Sequence, residues 1–117
     1  MYEWPNTLDE STFVGRTIQA ITFTENTVHF VFEPPCSITV LSALTFRMAD
    51  GTLEESTIPI RETRLPQTLG LAVRRATLVD RRDLHLELSD GSEVWIDGAS
   101  LNYECYSVSL GGRGFVV

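Results

Sequence analysis

Apolar and polar residues alternate along most of this chain, and that period of two constrains the fold more than any other feature. Val28, Phe30 and Phe32 alternate with His29 and Val31, and Leu84, Leu86 and Leu88 alternate with His85 and Glu87. Ile38 and Val40 flank Thr39, and Val94 and Ile96 flank Trp95. Side chains on a strand point to opposite faces in turn, so each run reads as a strand with one buried and one open face. Turn chemistry separates the runs: Glu25-Asn26, Glu33-Pro34-Pro35, Asp80 to Asp83, Asp90-Gly91, Asp97-Gly98 and Gly111-Gly112. Asp-Gly and Gly-Gly suit tight hairpins because those turns need positive φ. Helical periodicity is confined to two one-turn candidates, Leu8–Val14 and Arg64–Leu69, each followed by glycine.

The two halves of the chain align with each other. At an offset of 55, Val14-Gly15 falls on Leu69-Gly70 and Ile18 on Val73. At an offset of 56, Val28 to Phe32 falls on Leu84 to Leu88, and Ile38 and Val40 fall on Val94 and Ile96. In both halves the first strand changes face between successive apolar residues, Ile18 to Ile21 and Val73 to Ala76. A one-residue β-bulge produces such a slip. The expected organisation is one domain over residues 1–117, with pseudo-repeats at about 12–60 and 66–117. The expected fold is all-β: an antiparallel sandwich or half-open barrel of about eight short strands from two repeated meanders. A chain of this length buries roughly two thirds of its unfolded surface and needs no staples.

Charge narrows the partners. Nine arginines and no lysine face sixteen acidic residues, for a net charge of −7. Residues 1–60 carry two arginines against eight acids, a net of −6, whereas residues 61–117 are near balance at −1. A phosphate backbone calls for a positive face, so direct nucleic-acid binding is not expected. No apolar run is long enough for a membrane span. The acidic N-terminal stretch has no signal-peptide character, which sets the expectation of a cytoplasmic protein.

No catalytic motif is expected among these residues. His29 and His85 occupy equivalent repeat positions and could approach one another across a sheet, but a metal site would need more ligands than Glu87, which shares the face of His85, and no local nucleophile or orienting group accompanies either histidine. They read as half-exposed strand histidines. Gly111-Gly112-Arg113-Gly114 lacks the following helix that a phosphate cradle requires. Cys36 and Cys105 allow one disulfide, and two free, partly buried thiols suit a reducing cytosol. Trp95 points away from the Val94/Ile96 face, and Trp4, Tyr103 and Tyr106 add further aromatics. An outward tryptophan near acidic turns suits an interface anchor, or a face that another segment covers.

Phe13-Val14-Gly15-Arg16-Thr17-Ile18 with the Val28–Phe32 run, and the closing Asn102-Tyr103-Glu104-Cys105-Tyr106-Ser107-Val108, resemble a group of small all-β bacterial immunity proteins. Those are encoded beside toxins of polymorphic, contact-dependent or type VI delivery systems. The resemblance spans roughly residues 12–110, and the Glu33-Pro34-Pro35-Cys36 turn departs from its Asp-Gly pattern. It implies a cytoplasmic, non-enzymatic protein without cofactor or metal, which binds and blocks a cognate toxin domain of basic surface in a 1:1 complex. The acidic first half is then the docking side, with Glu25, Glu33, Asp50, Glu54 and Glu55 in turns or loops and Trp95 as apolar anchor. Two rival classes stay open: an interaction module of a larger bacterial or phage assembly, and a small-ligand-binding β-barrel with the histidines facing a cavity.

Overall fold

The computed structural model describes residues 10–34, 36–80, 82–98, 105–110 and 113–116. The chain is all-β. Its strands are β1 (Ile18–Phe23), β2 (Val28–Phe32), β3 (Cys36–Val40), β4 (Ala43–Arg47), β5 (Leu53–Thr57), β6 (Val73–Val79), β7 (Asp83–Leu88), β8 (Glu93–Ile96), β9 (Tyr106–Leu110) and β10 (Arg113–Val116). The number exceeds the expected eight or so, and segments as short as Glu93–Ile96 pair. The two helical candidates shrink to single 3-10 turns, Glu10–Phe13 and Leu65–Thr68, the second with Pro66 in its first two positions.

The strands form two antiparallel five-stranded sheets that pack as a sandwich. The first runs β1-β2-β3-β9-β10 and the second β5-β4-β8-β7-β6. Each half of the chain therefore gives a three-stranded meander to one sheet and a hairpin to the other. Both bulges lie where the apolar phase slips. Register shifts between Ile18 and Ala20 in β1 and between Val73 and Arg75 in β6.

The sheets meet along one side through paired backbone bonds at matching positions. Gly15 N–H donates to the Val73 carbonyl at 2.7 Å, and Gly70 N–H to the Ile18 carbonyl at 2.8 Å. Ile18 N–H donates to Leu71 and Val73 N–H to Arg16, around an antiparallel bridge between Thr17 and Ala72. This is an internal two-fold arrangement. Gly15 and Gly70 both hold φ near +85°, a region glycine enters without strain, at the points where the 3-10 turns give way to the strands.

The inward rows make one core. Ile18, Val28, Phe30, Phe32, Ile38, Val40, Tyr106 and Val108 from the first sheet face Leu44, Phe46, Val73, Leu84, Leu86, Leu88, Val94 and Ile96 from the second. Phe13 plugs the gap beside β1, its ring 5.4 Å from that of Phe32 in an edge-on contact. Each such fully buried side chain contributes about 1.5–3 kcal/mol. The Tyr106 hydroxyl donates to the Arg82 carbonyl at 2.6 Å, so this buried phenol is satisfied. Cys36 and Cys105 are both buried and free. They lie at opposite ends of the β3–β9 pairing, because Cys36 faces Leu110 and Cys105 accepts from Leu41.

Candidate functional site

The sandwich leaves each sheet one outer face, and the register places its residues in rows. On the second sheet one row reads Leu53, Arg47, Glu93, Glu87, Arg75 across β5, β4, β8, β7 and β6. The adjacent row reads Glu55, Thr45, Trp95, His85, Thr77. A shallow depression of about 330 Å3 opens here, lined by Thr45, Arg47, Leu53, His85, Glu93 and Trp95. Its lining is largely apolar, from the indole and from Leu53, which is 58% exposed.

Polar contacts fix the rim. Glu93 accepts from Arg47 Nη1 at 3.1 Å on one oxygen, and its other oxygen lies 3.4 Å from His85 Nε2. The His85 ring lies 4.8 Å from the Trp95 ring at a tilt of 39°. Glu87 is bound by Arg74, with Arg75 at 3.9 Å. Hydrogen bonding from Arg74 is the main cause holding the Glu87 carboxyl below the usual carboxylate range.

The outer face of the first sheet is the natural reference. Its corresponding rows begin Ala20, Val31, Ser37, Ser109, Gly114 and Thr22, His29, Thr39, Ser107. Under the internal two-fold Arg75 matches Ala20, Glu87 matches Val31, Glu93 matches Ser37, Trp95 matches Thr39 and Arg47 matches Ser109. The scaffold thus accepts small neutral residues at every one of these positions, with the same inward rows beneath. His29 and His85 hold equivalent places, but the sandwich turns them to opposite outer faces. The expectation that they could approach one another is therefore corrected. His29 Nδ1 instead hydrogen-bonds Thr39 Oγ1 at 2.7 Å.

The expected acidic docking residues do not gather on one side. Glu25 is exposed in the β1–β2 turn, at the opposite end of β2 from Glu33. Glu33 is taken up locally: one carboxylate oxygen accepts from both the backbone N–H and the hydroxyl of Thr17, at 3.1 Å each. Asp50 closes the β4–β5 turn by accepting from Thr52 N–H, and this bond holds its carboxyl low. Glu54 and Glu55 lie within strand β5, not in a loop. Glu54 pairs with Phe46 in register and turns inward, where it accepts from the Thr63 hydroxyl and Arg64 N–H. Only Glu55 shares the outer face with Trp95. Arg47, Leu53, Glu93 and His85 complete the depression, and sequence reasoning did not assign them to it. Glu93 is two residues before Trp95 on the same strand, so period two alone could have found it.

Trp4, Tyr103, Gly111 and Gly112 lie outside the described residues. Among the described residues, no group of three or more His, Cys, Asp or Glu could hold a metal ion, and no helix is long and apolar enough to cross a membrane. No protein-family model, curated protein or solved structure matches the chain.

Proposed function

We propose that this chain is a non-catalytic binding protein of the immunity type. It docks a cognate toxin domain of basic surface in a 1:1 complex in the cytoplasm, through the outer face of the second sheet. The observation that carries the reading is the difference between two faces of one scaffold. Folding needs no more than Ala, Val, Ser and Thr at these places, as the first sheet demonstrates. The tryptophan and the ion-paired arginines and glutamates have no counterpart on the first sheet and answer to something outside the fold. A half-buried indole beside an exposed leucine, ringed by ordered charges, has the composition of an interface centre with a polar rim. The charge of −7 speeds encounter with a basic partner.

The row Arg47, Glu93, Glu87, Arg75 also bears on the assembly alternative. A second copy stacked on this face about a two-fold axis along the row or through its centre sets arginine against arginine and glutamate against glutamate. Like charges in contact disfavour that pairing, so the face suits a different protein. The test is co-purification with the product of the neighbouring upstream gene, read by light scattering after size exclusion. A 1:1 complex that rescues cells from that product supports the reading. A homo-oligomer with no complex and a harmless neighbour sinks it.

A further inference from the structure

We infer that the open edge of β5 takes an added strand: an extended segment of a partner protein that carries a basic and an apolar side chain two residues apart. The inference uses the preceding proposal only for the partner's charge. β5 is the last strand of the second sheet, and among the described residues nothing pairs with its outer side. The bonds Met48 N–H to Thr52 and Ile58 N–H to Ser42 fix the phase of the β4–β5 ladder. In that phase Glu54 and Ser56 bond to β4, while the backbone N–H and C=O groups of Leu53, Glu55 and Thr57 point away from the sheet.

The same three residues direct their side chains to the outer face and are exposed. Backbone groups and side chains thus offer one continuous template. A strand laid along it extends both rows: its residue opposite Leu53 lies beside the Trp95 depression, and its residue opposite Glu55 meets a carboxylate. No hydrogen bond or ion pair engages Glu55 among the described residues.

Charge decides the occupant. Two copies of β5 paired antiparallel about Glu55 bring Glu55 opposite Glu55, a destabilising cross-strand pair. Acidic residues on an edge strand guard against self-pairing in this way, and the same charge favours a basic strand.

The test uses an acetylated, amidated heptapeptide with alternating leucine and lysine at every second position and threonine between, and a counterpart with glutamate for lysine. Amide exchange and 15N shifts are followed on the whole protein. Expected is at least tenfold added protection at Leu53, Glu55 and Thr57 with the basic peptide, and none with the acidic one. Glu55→Lys should abolish the effect. Thr57→Pro should weaken it at little cost to folding, since that N–H makes no bond to β4 and edge strands accept proline. Unchanged amides at the three residues, equal binding of both peptides, or protection on the first sheet instead would overturn the inference. None of these outcomes involves the toxin, so loss of the edge site and loss of the immunity reading are told apart.

Discussion

Replacing Trp95 by threonine, the residue its two-fold mate Thr39 already is, separates recognition from folding. Trp95 is half-buried. Full burial removes about 200 Å2 of an indole from water, so half of that at about 25 cal/mol per Å2 is worth roughly 2.5 kcal/mol. Threonine keeps part of this burial and has a strong strand preference, which leaves a net loss of about 1–1.5 kcal/mol. For a domain of this size the melting temperature then falls by about 4–6 °C. At the centre of an interface the same change costs at least about 2 kcal/mol of binding, roughly thirtyfold in Kd. Circular-dichroism melts and calorimetric titration with the neighbouring gene's product give the two numbers. A drop in melting temperature beyond about 15 °C would assign Trp95 to folding, and an unchanged Kd would remove it from the interface. Either result refutes the reasoning.

Other consequences follow from the packing. A Cβ on Gly98 would lie 2.1 Å from the Arg82 carbonyl oxygen, so Gly98→Ala must displace backbone. It should cost about 3 kcal/mol in urea unfolding, and a loss below about 0.5 would contradict that contact. Cys36 and Cys105 are buried, and burial pushes the Cys36 thiol up, so an aromatic disulfide reagent should react with neither until the protein unfolds. Fast labelling of either thiol contradicts their placement. Asp50 and Glu87 titrate below their ordinary values of 3.8 and 4.5. The unfolded chain then binds more protons below about pH 4.5, so stability falls as pH drops through that range. Asp50→Asn combined with Glu87→Gln should flatten this acid limb, and an equally steep limb argues against their part in it. Phe115 pairs with Val108 in edge strand β10, so deleting residues 115–117 should lower the melting temperature, and an unchanged melt speaks against that pairing.

Much of the fold is legible in local pattern, and the site much less so. Alternation marks the meander strands because their inward rows are continuous, and the slips after Ile18 and Val73 mark two bulges because a change of face leaves no other trace. The exchange of hairpins between sheets is not legible. Leu44, Phe46 and Met48 say which face of β4 is buried, but not that β4 pairs with β8 rather than β3. Pairing partners remote in sequence leave no local signal. The same holds for the carboxylates. Glu33 and Glu54 look like free surface acids until the fold brings Thr17 and Arg64 to them. Leu53 reads as an inward residue by type, yet its register with Arg47 turns it out, and its neighbour Glu54 takes the inward side.

The most direct test of the account is amide-exchange mapping of this protein alone and in complex with the product of the neighbouring gene. The expected result is protection confined to β4, β5, β7 and β8, centred on Trp95, with the first sheet's outer face unchanged. Protection centred instead on Ala20, Val31, Ser37 and Ser109, or none on either sheet, would contradict it.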